Sequence, residues 1–278
     1  MRFGACIGIG DCYAAGDGCN GESRLSRLAA LGFDYAELPL AAVAALPEEE
    51  FERLKDVFNR GALKSEAFNV FLPGDLRITG EGVDPERLRD YGRRGAARAR
   101  ALGGEVIVLG SAGARNLPGG WTRERGCEQL REALAVLSDA VQPYEVTIAL
   151  EPLNRRESNI VNSVAEALEV VKAVNRPNVR VLADYYHMAV EEEAAEVLAV
   201  AAGMLAHVHF ANPYGRVYPV TYKSSYNSFF ENLRAAGYDR RVSLECATAD
   251  FERDAPVALN VLRRGLDHEE YYARRRRG

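Results

Sequence analysis

Short apolar segments alternate with longer amphipathic segments about eight times along this sequence, and no run of hairpin turns interrupts the order. The apolar segments are typical of strands buried on both faces, and the amphipathic ones repeat apolar residues at helical spacings. Alternating strands and helices form a parallel sheet, and eight repeats are the number that closes into a barrel. The sequence therefore predicts an α/β protein with a (β/α)8 TIM barrel. A doubly wound open sheet is the alternative, but it requires an edge strand that we do not find.

Each predicted strand is a run of apolar residues that ends at a turn or at the start of a helix. The strands are predicted at Phe3–Gly8, Tyr35–Leu40, within Leu63–Leu72, and at Glu105–Gly110, Thr147–Glu151, Val179–Ala183, Leu205–Phe210 and Val242–Glu245. Helices are expected between them, for example from Glu22 to Leu31, where Gly32 ends the helix, and from Val190 to Ala202.

Length and composition are those of one soluble domain. The chain has 278 residues, of which 47% are hydrophobic and 27% charged, and it contains no linker or low-complexity tract. A barrel of this kind commonly needs about 250 residues. We therefore assign residues 1–278 to a single domain, in which residues 271–278, with the basic run Arg274 to Arg277, are expected to form a solvated tail.

Charge, cysteine content and hydropathy argue against several functional classes. A net charge of -5 disfavours nucleic-acid binding, which needs a basic face to neutralise phosphates. The residues near Met1 do not resemble a signal peptide, and no apolar run approaches the roughly 18 residues of a membrane span. The five cysteines are scattered and include no Cys-x-x-Cys pair, as in a reducing compartment. We expect a cytoplasmic protein with neither a nucleic-acid nor a membrane partner.

Polar residues stand at the ends of four consecutive predicted strands. In chain order they are Glu151, Asp184, His209 and Glu245. In a barrel the carboxyl ends of the strands meet at one mouth, where ligands bind. Three carboxylates crowded there would raise one another's pKa unless a cation held them. A single such residue usually caps a helix or pairs with an arginine, but that explanation does not account for four strands in succession.

The predicted ligand set is rich in oxygen and has one imidazole. Two Glu, one Asp and one His suit a hard or borderline divalent ion rather than a structural zinc site. We therefore expect one divalent metal ion, with Mn²⁺ as the first choice and Mg²⁺, Co²⁺ or Zn²⁺ as alternatives. His207 has the same strand parity as His209, but His209 lies nearer the tip and is the predicted ligand.

Four motifs are similar to those of a known family. They are IALEPLNRRESN, LADYYHM, HVHFANPYGR and VSLEC, and the similarity runs over nearly the whole chain. In these motifs the chain resembles the xylose isomerase-like TIM-barrel superfamily. Within it, the resemblance is to the sugar isomerases and ketose 3-epimerases, which include D-tagatose 3-epimerase and hydroxypyruvate isomerase.

The resemblance implies a role for each matched residue. The metal ligands it implies are again the four residues at the strand ends, and Glu157, His187 and Arg216 are implied to hold substrate oxygens. One departure concerns the loop after Arg216. Relatives continue with a P-G-x-G-E segment, whereas residues 217–222 lack both glycines and the acid, so the resemblance does not imply the substrate. Endonuclease IV shares the barrel, but its three-zinc site needs more than the four histidines present here.

The resemblance also implies a function. It is that of a divalent-metal-dependent sugar isomerase or epimerase, acting on a ketose or related keto-sugar through a cis-enediolate. Glu151 and Glu245 would form the acid–base pair, one on each face of the reacting carbon. The alternatives are a metal-dependent lyase or dehydratase acting on a keto-inositol or oxidised glycoside, and a sugar-binding barrel without catalysis. The expected partner is a small-molecule sugar, and a homodimer or homotetramer is the expected assembly.

Further residues near predicted strand ends are candidate substrate contacts, with structural roles as the alternative. They are Glu37, Glu66, Asn69 and Ser111, together with Trp121, Tyr185 and Tyr186 as aromatic walls of a sugar site. Glu37 is an acid inside an apolar run and therefore needs a polar cavity or a partner. The glycines and Arg115 of the SAGARNLPGG loop are a candidate phosphate cradle.

Overall fold

The computed structural model of the protein describes residues 1–13 and 22–266. Its eight parallel strands pair in chain order, and the last strand pairs with the first to close a barrel. The strands are β1 Arg2–Cys6, β2 Tyr35–Pro39, β3 Ser65–Asn69, β4 Val106–Leu109, β5 Thr147–Leu150, β6 Val179–Asp184, β7 Leu205–Phe210 and β8 Arg241–Leu244. The predicted (β/α)8 barrel is confirmed. The predicted basic tail lies outside the described residues.

Helices cover the outside of the barrel. They are α1 Arg24–Leu31, α2 Leu40–Ala45, α3 Glu48–Arg60, α4 Pro85–Ala101, α5 Ala112–Arg115, α6 Arg123–Val141, α7 Val164–Val174, α8 Tyr185–Val190, α9 Val197–Val200, α10 Asn227–Ala235 and α11 Phe251–Leu266. Polar side chains begin several of them, as when the Ser163 hydroxyl accepts from the backbone N–H of Glu166 at the start of α7. In the described part of the chain, no helix has both the length and the apolar character of a membrane-spanning segment.

Two local predictions were wrong. The predicted helix Val190–Ala202 is instead α8, which starts directly after β6, and the short α9. The carboxylate of Asp184 caps α8 by accepting from the backbone N–H of Tyr186 at 2.8 Å, so the helix begins earlier than expected. Leu40 does not end β2 but begins α2, because the Ala-rich segment after Pro39 has high helix propensity.

Apolar side chains fill the barrel below the mouth. They belong to Tyr35, Ala67, Val106, Val108, Ala149, Leu182 and Ala206, all of which are buried. At the opposite end, the Glu66 carboxylate accepts a hydrogen bond from Arg241 at 2.6 Å and is also paired with Arg2. Glu66 lies near the start of β3, so the prediction that it contacts a ligand at the mouth was wrong. Its ion pairs instead tie the lower ends of β1, β3 and β8 together.

Gly4 of β1 allows the ring of Tyr35 to lie inside the barrel. A Cβ added at Gly4 would lie 2.3 Å from a carbon of the Tyr35 ring, whereas one added at Gly10 would meet nothing within 4 Å. We expect Gly4→Ala to lower the free energy of unfolding by about 1–3 kcal/mol, because a packed ring must shift. Gly10→Ala is the matched control and should change it by less than about 0.5 kcal/mol. Urea unfolding of both variants measures the difference, and equal stabilities would contradict this account.

Candidate active site

The four predicted metal ligands meet at the carboxyl end of the barrel. Glu151 follows β5, Asp184 ends β6, His209 lies in β7 and Glu245 follows β8. Each offers one ligand atom, and these atoms all lie within 4.8 Å of one another. Glu151, Asp184 and His209 are buried, and the Glu245 side chain is 18% exposed. The strand order therefore brings together residues as far apart in sequence as Glu151 and Glu245, which are separated by 94 positions.

His209 is the centre of this cluster. Its Nδ1 lies 3.3 Å from Oε1 of Glu151 and 3.2 Å from Oε2 of Glu245, and its Nε2 lies 2.9 Å from Oε1 of Glu37. His207 also points inward but lies deeper, with its Nε2 2.8 Å from Oε2 of Glu37. Glu37 thus has two imidazole partners inside the barrel. A buried acid in an apolar strand needs such partners, as the sequence predicted.

Burial and mutual repulsion raise the pKa of two of the carboxyl groups. Burial is the larger cause for Asp184, and the charges of Glu151 and Glu245 add to it, raising the pKa of Asp184 to about 7. Burial and then the Glu245 charge also raise the pKa of Glu151. Burial would raise the pKa of Glu245 as well, but His209 and Arg216 lower it to about 2. Burial and mutual repulsion thus disfavour the ionised forms of Glu151 and Asp184 in the metal-free site.

The donor set fits a divalent cation. Oδ2 of Asp184 is buried without a hydrogen-bond partner, which is costly for a carboxylate oxygen. The carboxylates do not each have an arginine of their own, because Arg216 is shared. Its guanidinium is bonded to Glu245 and lies 3.6 Å from both Asp184 and Glu157. Glu151, Asp184, His209 and Glu245 together supply the oxygen-rich set with one imidazole that Mn²⁺ or Mg²⁺ prefers.

The structure brings Glu157 and His187, both predicted substrate contacts, beside this cluster through Asn154. The backbone N–H of Asn154 donates to Nδ1 of His187 at 3.1 Å, and its side-chain amide donates to Oε1 of Glu157 at 2.9 Å. Because Nδ1 accepts, the proton of neutral His187 is on Nε2, which lies 3.5 Å from Oδ2 of Asp184 and has no hydrogen-bond partner. Burial, then Arg216, lowers the pKa of His187 to about 3 and keeps it neutral. The sequence reading missed Asn154, although it ends the E-P-L-N motif.

The loop after β7 holds Arg216 over the site without the glycines of the P-G-x-G-E segment. Asn212 donates its backbone N–H to the carbonyl of Val217 at 2.9 Å, and Ala247 donates to the carbonyl of Arg216 at 3.0 Å. The ring of Tyr186 lies 4.8 Å below the guanidinium, a cation–π contact. Backbone pairing and one aromatic ring therefore position Arg216.

An open cavity of about 300 Å³ lies above the cluster. Glu151, Glu157, Arg216 and Glu245 line it, together with glycines of the loop after β4. Gly110 is needed there, since a Cβ at this position would lie 2.2 Å from Oε2 of Glu151. The cavity has the size of a small-molecule site, and four charged side chains line it.

Two further residues that were predicted to contact a ligand, Arg115 and Ser111, have structural roles. Arg115 is fully buried, and its guanidinium donates to the backbone carbonyls of Glu151 at 2.5 Å and Leu109 at 3.3 Å. It supports the tips of β4 and β5 from below, so the prediction of a phosphate cradle was wrong for this residue. Ser111 accepts from the backbone N–H of Leu72 at 3.0 Å and holds two mouth loops together.

The aromatic candidates and Asn69 divide between the site and the surrounding core. Tyr185 stacks on Phe210, 4.8 Å between ring centres, and packs beneath the mouth rather than walling it. Trp121 is half-buried and is covered by Arg125 at 3.8 Å. Asn69 contacts the cluster, because its amide donates to Oε1 of Glu245 at 3.2 Å. Of these candidates, Asn69 and Tyr186 contact side chains of the site directly, Asn69 through Glu245 and Tyr186 through Arg216.

Fold and site together define a TIM barrel with a buried acidic cluster at its carboxyl mouth. Residues 25–265 match the family model described as xylose isomerase-like TIM barrel, and the chain belongs to this family. The predicted resemblance is confirmed.

Known relatives indicate the class of enzyme. The chain is 28% identical over 252 residues to L-ribulose 3-epimerase of Methylomonas sp. (strain DH-1), covering 89% of this chain and 84% of that protein. It is 30% identical over 119 residues to 3-dehydro-D-guloside 4-epimerase of Escherichia coli (strain K12), covering 42% and 45%. A crystal structure of D-psicose 3-epimerase has the same fold, with a TM-score of 0.80 at 17% identity over 96% of this chain and 99% of that one. The prediction of an isomerase-class enzyme is confirmed by such relatives.

The raised pKa of Asp184 predicts how the metal-free protein responds to pH. The unfolded chain loses this proton near 3.8, whereas the folded protein keeps it to about 7, so ionisation in this interval destabilises the fold. Asp184→Asn keeps the helix cap without the charge. We compare this variant with the natural protein after EDTA has removed metal from both. The variant should have the larger free energy of unfolding, by a difference that grows from about pH 4 to pH 7 and reaches about 1–3 kcal/mol. Urea unfolding at pH 5 and pH 8 measures it, and a constant difference would contradict the electrostatic explanation.

Proposed function

We propose that the protein is a divalent-metal-dependent sugar epimerase or isomerase, acting on a ketose or related keto-sugar. The observation that carries the proposal is the convergence of Glu151, Asp184, His209 and Glu245 in one cluster, of which Glu151 and Glu245 line an open cavity. Mn²⁺ is the proposed ion, with Mg²⁺, Co²⁺ and Zn²⁺ as alternatives. A bound ion of this kind polarises a carbonyl and its adjacent hydroxyl, which acidifies the neighbouring C–H bond.

Glu151 and Glu245 are the proposed acid–base pair. Both line the cavity, and they project from β5 and β8, on separate parts of the barrel wall. One carboxylate removes the proton from the carbon beside the carbonyl and leaves an enediolate of the sugar. For epimerisation the other returns a proton to the opposite face, whereas an aldose–ketose isomerisation moves it to the adjacent carbon.

Three further residues handle substrate oxygens in this proposal. His187 presents its Nε2–H toward the cluster and can donate to a hydroxyl or carbonyl oxygen. Arg216 stabilises negative charge that develops on that oxygen, and the cation–π contact with Tyr186 limits its movement. Glu157, held by Asn154, accepts a hydrogen bond from a neighbouring hydroxyl.

A keto-glycoside is the second candidate substrate class. Two observations favour it: the similarity to a 3-dehydro-D-guloside 4-epimerase, and the changed loop at residues 217–222, which directly follows Arg216 at the lining of the open cavity. The same acid–base pair would serve an epimerase, lyase or dehydratase of such a compound. The cytoplasmic location and the homodimeric or homotetrameric assembly stay predictions.

Removing either carboxylate tests the acid–base pair. We expect Glu151→Gln and Glu245→Gln each to lower kcat by about 10²–10⁴-fold, because the amide cannot transfer a proton. Glu169, exposed on α7, is the matched control, and Glu169→Gln should leave kcat unchanged. Circular dichroism checks that each variant is folded. Undiminished turnover in a folded Glu151→Gln or Glu245→Gln variant would rule out the two-carboxylate mechanism.

Isotope exchange separates the reaction types. The Mn²⁺-loaded protein is incubated in D₂O with a panel of ketoses and keto-glycosides, and the products are analysed by NMR and mass spectrometry. We expect deuterium at C3 of a ketose with inverted configuration, as proton return from the opposite face requires. Deuterium at C1 or C2 would indicate aldose–ketose isomerisation, and loss of water or of the aglycone a dehydratase or lyase. No exchange with any substrate, in a protein that binds the metal, would favour the non-catalytic barrel.

A further inference from the structure

A buried hydrogen-bond chain runs through Glu37, below the cavity. Glu37 is fully buried on β2, and neither of its oxygens is free. Oε1 is 2.9 Å from Nε2 of His209, and Oε2 is 2.8 Å from Nε2 of His207. The hydroxyl of Ser243 is also bonded to Oε2, at 2.5 Å, and the Tyr35 hydroxyl is 2.8 Å from that of Ser243.

The chemistry of a carboxylate fixes the direction of this chain. An ionised carboxylate only accepts hydrogen bonds, so Ser243 and both imidazoles must donate to Glu37. The Ser243 oxygen then accepts from the Tyr35 hydroxyl. The buried environment of Glu37 therefore supplies three donors to one charge, which is how a buried carboxylate is stabilised.

The contact with Glu37 determines which nitrogen of His209 is available to a cation. Its Nε2–H is directed at Glu37, whereas Nδ1 faces Glu151 and Glu245 at 3.3 and 3.2 Å, so Nδ1 is the nitrogen that would give up its proton when a cation binds. An imidazole binds a cation only through a nitrogen that carries no proton. Nδ1 is therefore the nitrogen of His209 that is directed at the proposed metal.

We propose that Glu37 is a positioning residue, which fixes the tautomer and ring orientation of His209 and thereby strengthens divalent-cation binding. The inference rests on the proposed metal site and adds to it a residue that touches neither the cation nor the substrate. Carboxylates that accept from the remote nitrogen of a metal-bound histidine make that histidine a stronger ligand. His207 and Ser243 hold the Glu37 carboxylate in place for this purpose.

A second cation site at Glu37 is the competing reading of the same atoms. Cys6, Glu37 and His209 also offer ligand atoms within 4.8 Å of one another. A cation there would have to break the bond between Glu37 and Nε2 of His209. It would also compete with the two donors already on Oε2 of Glu37. The geometry therefore favours Glu37 acting through His209.

Mn²⁺ titration of variants tests the proposal. We expect Glu37→Gln to weaken Mn²⁺ binding by about 10–100-fold, since a neutral amide cannot accept from all three donors. Glu169→Gln, the same change at an exposed carboxylate on α7, is the matched control and should leave the Mn²⁺ affinity unchanged. Calorimetry measures the affinities, and circular dichroism of the metal-free variants reports whether each is folded. A folded Glu37→Gln variant with unchanged Mn²⁺ affinity would overturn the proposal.

The natural protein gives a second measurement that does not depend on a variant folding. With Zn²⁺ as a diamagnetic probe and ¹⁵N-labelled histidine, we expect His209 to show a protonated Nε2 and a metal-bound Nδ1. Coordination through Nε2 would overturn the proposal while leaving the metal site intact. Failure of the natural protein to bind Mn²⁺ or Zn²⁺ would instead reject the proposed function, so the two failures are distinguishable.

Discussion

The structure depends on holding three carboxylates and one imidazole in a small buried volume at the strand tips. Burying charged groups is unfavourable unless they are paired, and here the compensation is incomplete. His209 and Arg216 lower the pKa of Glu245, whereas those of Glu151 and Asp184 stay raised. A scaffold must resist the resulting repulsion. A closed barrel does so, because each tip is fixed by hydrogen bonds to two neighbouring strands and no strand is free to move outward.

Arg115 lies beneath this cluster and stabilises it, although its place in a glycine-rich loop suggested a ligand-binding role. Its guanidinium bonds to backbone carbonyls and to no carboxylate, and burial lowers its pKa to about 10, so it keeps its charge at neutral pH. A fixed positive charge next to Glu151 and Glu157 offsets part of their repulsion. At the same time, its bonds to Leu109 and Glu151 join two strand tips. One buried residue thus combines an electrostatic and a geometric role.

The sequence predicted the barrel and the cluster because both follow from periodicity. Strand parity and position along the chain determine which residues reach the mouth, and Glu151, Asp184, His209 and Glu245 satisfy both conditions. The partner of each individual side chain could not be predicted this way. Glu37 of β2 pairs with His207 of β7 across the barrel. Asn154 contacts His187 because the loop after β5 bends toward it. Neither contact leaves a periodic pattern in the sequence. The early start of α8 was missed because its helix cap, Asp184, is also a member of the acidic cluster.

The two histidines at the mouth show how such contacts determine chemistry. His187 accepts from Asn154 at Nδ1 and therefore presents an N–H to the site. His209 donates from Nε2 to Glu37, so Nδ1 is the nitrogen that it directs at Glu151 and Glu245. The same side chain thus presents a hydrogen-bond donor to the site in one place and the nitrogen available to a cation in the other, because its second nitrogen has a different partner. An inspection of the residue types alone would treat these imidazoles as equivalent, whereas the side chains behind them make one suited to a sugar oxygen and the other to a cation.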